Sequence, residues 1–439
     1  MRCMNRLWPL LVVAAACSLN LAAQESKPRA ASDFLDPRQG VTEEELVTRA
    51  LASNPMLAAK RQQIAMAEGN VTQAHLHKNP AVTLGGLKEV NGDDHAINVT
   101  ASVPLELYGR RARRTEVAEN QENVTKQGVE DQERLLAGEV RSRFGQALAS
   151  IRNLMFIDQL LQVNQDFLKL MEDRVNQGAA PPIDADETRV EVNRIETLRI
   201  DYQAKVEIAF LALKEAVGID PEESMRLNGQ LELGSLTYDQ KQLLQLAMDH
   251  RPDLAMQRAN ESLANAELRS DKAAGKLDAS VFGGYERPNE GFSLQAFDAA
   301  GNLRPIRQSF NHVVFGLNID LPVFNRNQGA VGADTAALQA AHSQIAAVIL
   351  NLRHEVAQNL IQFNGAQARV ALYRSGVRYQ AAHNLDIVRQ TYSYGRITLL
   401  DVIAEQRRYI DIETGYTDIL LNAYAARIAL QQAVGAKLP

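Results

Sequence analysis

Cysteine is almost missing from this chain of 439 residues: only Cys3 and Cys17 occur, both within the first 23. The single tryptophan, Trp8, lies in the same stretch. Beyond it the chain has no thiol for a disulfide framework or a thiolate metal site. Turn formers are scarce too, with 26 glycines and 14 prolines, roughly 9% against about 12% in average chains. That shortage favours long uninterrupted elements. After residue 21 no apolar run reaches a membrane-helix length of about 18 residues, which excludes a helical membrane protein. A transmembrane β-barrel is not excluded, because alternating strands do not raise mean hydropathy. With 47 basic and 53 acidic residues the net charge is −6, so nothing favours nucleic acid as a partner. Walker, GxGxxG, HExxH and GxSxG motifs are all missing, and neither an enzyme nor a cofactor is expected. His75 and His77 stand two apart, on different faces of a helix, and do not suit a shared metal.

What is present begins with an export signal over residues 1–23. Arg2 and Arg6 precede the apolar run Leu7–Ala16, and small residues follow at Ala22 and Ala23, the order of a secretory leader. Cleavage after Ala23 leaves no cysteine. A second reading stays open, because Val13-Ala14-Ala15-Ala16-Cys17 resembles a lipoprotein processing site without its usual leucine. An acylated Cys17 would be an anchor rather than a fold element.

The remainder is one plan written twice. Leu46–Leu57, containing Ala50, Asn54 and Pro55, matches Leu243–Leu254, containing Ala247, Arg251 and Pro252. Pro104 then aligns with Pro322, Gly178 with Gly395, and Ala216-Val217-Gly218 with Ala433-Val434-Gly435. The register shifts once, so the second copy carries about twenty extra residues in one loop. The copies span 24–218 and 238–439, with a connector over 219–237.

Each copy predicts a short helix (about 43–53 and 239–250), then a proline-started helix (about 55–78 and 252–275). A strand pair follows, then a very long helix (about 110–177 and 328–394) and a return helix (about 183–217 and 398–434). No proline falls between Pro104 and Pro181, or between Pro322 and Pro439. Leu154, Ile157, Leu161, Asn164, Leu168, Met171 and Val175 alternate spacings of three and four, as a coiled-coil seam does. Val370, Tyr373, Val377, Ala381, Leu385, Val388 and Tyr392 nearly repeat it. Both stripes are read as packing seams.

Between the helices the period becomes two. Ile97, Val99, Ala101, Val103 and Leu105 alternate with polar residues, and Val313, Phe315, Leu317, Ile319 and Leu321 do so less strictly. Each run has the length of a tilted membrane strand. The hairpins cover about 81–105 and 279–323, the first turning at Asn91-Gly92 and the second through a polar segment, about 288–309. Aromatics are 5% of the chain, predicting about two in residues 282–324. Phe282, Tyr285, Phe292, Phe297, Phe310, Phe315 and Phe324 all lie there, as interfacial girdles would require. A soluble sheet face would look similar; the export signal decides for the membrane. Four strands cannot close a barrel, and open edges are not tolerated in lipid, so several chains must share one.

Order and motifs together resemble the TolC family of outer-membrane efflux proteins over nearly the whole mature chain. Pro104-Leu105-Glu106-Leu107-Tyr108-Gly109-Arg110-Arg111 and Leu321-Pro322-Val323-Phe324-Asn325-Arg326-Asn327-Gln328-Gly329 look like the strand–helix junctions of the CzcC-like type, which serves heavy-metal exporters. The resemblance implies a mainly α fold with membrane β: duplicated coiled-coil hairpins, and four strands per chain in a shared trimeric 12-stranded barrel. It implies a homotrimer docked to an inner-membrane pump of the RND type through a periplasmic adaptor (membrane fusion) protein. The function implied is an outer-membrane exit duct for small solutes, heavy-metal cations or drugs among them. A polypeptide conduit of type I secretion and a periplasmic coiled-coil scaffold are the alternatives.

The family closes its tunnel at the helix–helix turns, here Gly178–Asp184 and Tyr392–Asp401. Gly178 and Gly395 suit the end of a long helix, and Asp184 and Asp401 suit the positive start of the next. The resemblance places Asp401 in a constricting carboxylate ring, held by Tyr392 and Asp184. Ile397 stands where the family has a gate arginine, with Arg396 adjacent, and Ala404 replaces a second aspartate, so a looser latch is expected. Arg110, Arg111, Arg113 and Arg114 oppose the dipole at a helix start; contact with anionic lipid headgroups of the outer membrane's inner leaflet would favour them.

Overall fold

The computed structural model describes residues 30–438 except 233 and 235. The export leader and Cys17 lie outside the described residues. The first repeat holds α1 (Glu43–Ser53), α2 (Pro55–His75), strands β1 (Ala81–Lys88) and β2 (His95–Pro104), then α3 (Arg110–Asn176) and α4 (Pro182–Val217). The second holds α5 (Gln240–His250), α6 (Pro252–Ala274) and strands β3 (Asp278–Phe297), β4 (Leu303–Ser309) and β5 (His312–Asp320). It continues through α7 (Gln328–Leu372), α8 (Tyr379–Ser393) and α9 (Leu399–Val434).

The proline-free stretch becomes α3, whose 67 residues make a rod of about 100 Å. Its predicted seam is the buried one: Leu154, Ile157 and Met171 are fully buried and Asn164 nearly so. Opposite them α4 and α9 supply Val192, Ile195 and Ile410. Midway along the rod the main core forms where Phe144, Ile151 and Leu154 meet α1, the end of α4 and Tyr416, Leu420 and Tyr424 of α9. The chain before α1 also enters this core, since Leu35 and Val41 each bridge Leu227 of the connector.

The second long helix departs from expectation. A π-helical stretch, Tyr373–Arg378, separates α7 from α8, and Val377 on the predicted seam is exposed. Tyr373 stacks on Tyr416 with ring centroids 5.9 Å apart, while Arg378 pairs with Glu413 at 2.6 Å. Both partners lie on α9. Residues five apart on an α-helix point roughly 140° from one another. A wider turn brings both onto one helix, and this is the packing reason for the π segment.

The sheet is antiparallel, with β2 and β3 in the middle. One edge is β1, and the other is β5 beside the first half of β3 with β4 beside its second half. The polar segment about 288–309 is therefore no open loop: β3 continues to Phe297 and β4 returns along it. The first hairpin turns through six residues, closed by Glu89 N–H donating to Asp94 O at 2.8 Å. Neither Asn91 nor Gly92 takes a positive φ, so the expected two-residue turn does not form.

Register puts Leu84 beside Val99, Val99 beside Tyr285 and Tyr285 beside Val313. Val82, Ala101, Gly283 and Phe315 follow in the next row, then Val103, Val281 and Leu317. All share one face, because side chains two apart on a strand point the same way. Thr83, Asn98, Thr100, Ser102, Glu286 and Asn318 occupy the other. The apolar face is bare: Leu84 is 75%, Val313 78% and Phe315 84% exposed.

Leu154→Ala is expected to cost about 2–5 kcal/mol through the cavity it leaves. Met155→Ala, one residue along and 40% exposed, should cost about 0.5 kcal/mol. Denaturant midpoints followed by helical circular dichroism compare the two.

Candidate functional site: the helical tip and the sheet–shaft junction

Two helix–helix turns lie at the far end of the rod from the sheet. Gly178 (φ 69°) and Gly395 (φ 67°) adopt the left-handed backbone that stops α3 and α8. Beyond them Ala179 N–H donates back to Arg174 O at 2.8 Å, and Arg396 N–H to Thr391 O at 3.3 Å. Both turns thereby satisfy helix-end carbonyls.

The two aspartates then behave differently. Asp401 accepts from the Thr398 hydroxyl at 2.6 Å and from Thr398 N–H at 2.9 Å. Thr398 in turn accepts from Asp401 N–H, closing a capping box at the start of α9. These bonds hold the exposed Asp401 carboxyl below the usual carboxylate range. Asp184 sits at the same place on α4, but the residue matching Thr398 is Pro181, whose side chain caps nothing. Its carboxylate instead accepts from the Tyr392 hydroxyl at 3.0 Å. That bond joins α8 to α4. Burial and the neighbouring Asp184 push Tyr392 up to about 12, so it remains a neutral donor at physiological pH.

Further contacts join the hairpin α3–α4 to the hairpin α8–α9. Phe167 packs edge-on against Tyr392 with centroids 6.4 Å apart. Gln406 donates to Asn164 at 2.9 Å, both buried. Glu191, whose side chain is 2% exposed, is paired by Arg194 at 2.6 Å and by Arg407 at 2.8 Å. Of these residues Phe167, Tyr392, Gln406, Asn164 and Glu191 line a cavity of about 380 Å³, together with Leu170 and Arg389. Among the described residues Arg389 donates to Gln406 alone, at 3.2 Å, and burial lowers its pKa.

Arg396 has no ion pair among the described residues. The sequence reading passed over Asn164 as one more seam position and passed over Gln406, Glu191 and Arg407 altogether. A polar residue on an apolar stripe was the available signal for the first; the others show only in the packed helices.

At the opposite end of the rod, each strand-to-helix junction bends through left-handed residues: Glu106, Tyr108 and Gly109 in the first copy, Asn327 in the second. The four arginines divide here. Arg110 pairs with Asp278 at 2.9 Å and donates to the carbonyls of Ala274 and Lys276, at the end of α6. Arg114 pairs with the buried Glu106 at 2.5 Å and donates to Ala74 and Leu76 carbonyls at the end of α2. Asn327 likewise donates to Asp271 O of α6. Carbonyls at a helix C-terminus attract cations, so the partner that favours Arg110 and Arg114 is protein. Arg113 pairs with Glu116 at 2.8 Å, and Arg111 meets His77.

No helix among the described residues is long and apolar enough to cross a membrane, and no group of three or more His, Cys, Asp or Glu there could hold a metal. The sheet is the element suited to lipid. A sheet with one apolar face and two edges unpaired among the described residues, on the end of a helical rod of about 100 Å, is the architecture of a channel protein.

The chain belongs to the outer membrane efflux protein family, which it matches over residues 46–219 and again over 243–436. It is 22% identical over 437 residues to the cobalt-zinc-cadmium resistance protein CzcC of Cupriavidus metallidurans, across 98% of this chain and 100% of that one. Its fold is similar to that of CusC, solved in a study of folding and transmembrane channel formation (TM-score 0.72, 17% identity, 94% and 96% of the two chains). It is similar also to the CmeC outer membrane channel of Campylobacter jejuni (TM-score 0.72, 12% identity, 98% and 94%).

Tyr392→Phe should remove the α8–α4 bond at a cost of about 1 kcal/mol. In the parent, that bond is intact below pH 10, the ordinary tyrosine value, and is lost as pH rises through about 12, because folding raised the hydroxyl's pKa. Proteolysis at the tip turns, run across this range, should accelerate in the parent; Tyr392→Phe should be fast from the outset.

Proposed function

We propose that three copies of this chain form an outer-membrane duct in a Gram-negative envelope. Each contributes the four-strand width of its sheet to one 12-stranded barrel, and its helices to a periplasmic tunnel. The observation that carries this is the bare apolar face bounded by unpaired β1 on one edge and β5 with β4 on the other. Unpaired peptide groups are not tolerated in hydrocarbon, and pairing β1 of one copy with β5 of the next removes both edges at once. Aromatics at two levels support the same placement: Tyr108 and Phe324 are exposed at the rod end, while Phe292 and Phe310 pack together beyond the apolar rows.

The duct performs no catalysis. Its tip is the gate, with Tyr392 bonded to Asp184 as the latch and Asp401 repeated three times about the axis as a cation-attracting ring. A pump of the RND type, coupled through a periplasmic adaptor, supplies the substrate and most of the selectivity. The name of the CzcC relative puts heavy-metal cations first among substrates, and the Asp401 ring agrees with them in charge.

Purified protein in planar bilayers should give discrete conductance steps, and Tyr392→Phe with Asp184→Asn should lengthen the open time several-fold. No conductance from parent or variant would defeat the duct. Release from membranes by carbonate washing would instead support a peripheral scaffold.

A further inference from the structure

The end of α2 and the start of α3 enclose a niche of about 420 Å³ lined by His75, His77, Glu106, Gly109, Arg111 and Thr115. Three observations bear on what it holds. First, α3 starts at Gly109 with no side chain capping it, so the positive end of a 67-residue helix faces the niche. Second, Thr115 is 7% exposed, and its buried hydroxyl has no partner among the described residues. Other helical threonines in this chain donate to the carbonyl four residues back, as Thr72, Thr125 and Thr188 do. Thr115 does not, and a buried hydroxyl left idle is costly. Third, Glu106, the one carboxylate lining the niche among the described residues, is already committed to Arg114, which leaves the Arg111 guanidinium, in contact with the His77 ring, without a carboxylate partner there. Tyr108, with Lys276 over its ring at 5.1 Å, stands beside this niche where strand gives way to helix. An aromatic and basic rim of that kind suits the level of lipid headgroups.

We propose that this niche binds a phosphate-bearing anion, with Arg111, the uncapped start of α3 and the Thr115 hydroxyl as its donors. A phospholipid headgroup and free phosphate share this chemistry. Only the headgroup source rests on the membrane placement of the sheet, and the need for detergent during extraction reports on that placement separately.

The test uses the full-length protein extracted in detergent, titrated by calorimetry with inorganic phosphate and, in parallel, with short-chain phosphatidylglycerol. Saturable binding is expected, weakened at least tenfold by Arg111→Gln. Thr115→Val preserves shape, so it should weaken binding about fivefold while leaving the melting temperature of the unliganded protein unchanged or higher. That pairing separates a ligand donor from a structural hydroxyl. Binding of the lipid alone assigns the headgroup; equal binding of inorganic phosphate assigns the free anion. No saturable binding of either probe, or binding indifferent to both substitutions, overturns the proposal.

Discussion

Peptide groups at a sheet edge need hydrogen-bond partners, and much of this chain's architecture turns on where its sheet ends. The sheet satisfies its interior groups and leaves two edges, β1 on one side and β5 with β4 on the other, unpaired among the described residues. At the ends of β2 and β5 the strands pass within a few residues into helices. The passage is made by left-handed residues at Glu106, Tyr108, Gly109 and Asn327, which bend the chain where a regular element cannot. The same few residues also finish the helices arriving there. Arg110, Arg114 and Asn327 take up carbonyls at the ends of α6 and α2, so one junction solves both the bend and the loose ends.

Below the junction the constraint changes to one of packing. A rod of about 100 Å has little interior per residue, and the chain concentrates its large buried side chains midway, around Phe144, Tyr416 and Tyr424. Toward the tip the apolar core thins, and polar bridges between the hairpins carry more of the cohesion: Asn164 with Gln406, and Glu191 with Arg194 and Arg407. Buried polar bonds are directional, which suits a region whose two hairpins must meet in one alignment.

Much of this was legible in the sequence because it depends on local signals. Proline spacing and the Leu154–Met171 stripe located α3 to within a residue, and period-two alternation located β2 and β5. The repeat paired Asp184 with Asp401 before either had a partner. What was not legible depends on distant partners. The π segment exists because Tyr373 and Arg378 both serve α9. The extended arm of β3 and β4 reads as a polar loop because no core marks either face. Arg110 and Arg114 look like a surface patch until carbonyls over 30 residues away, or over 160, are brought against them. The Asn91-Gly92 signal was real as a turn but lost its preferred geometry to a six-residue connection.

The contrast between Pro181 and Thr398 has a wider meaning for the tip. Both positions precede an aspartate by three residues in matching copies of one plan. Threonine keeps its aspartate at home, as part of the helix start. Proline cannot, and the freed carboxylate is available to Tyr392 on a different helix. A capping residue, not the charged group itself, thus decides which of two equivalent acids becomes a fastener. Duplication supplied the second acid, and one residue at a helix start left it free for this contact. Ordinary helix-start substitutions can therefore shift that grip while both aspartates stay in place.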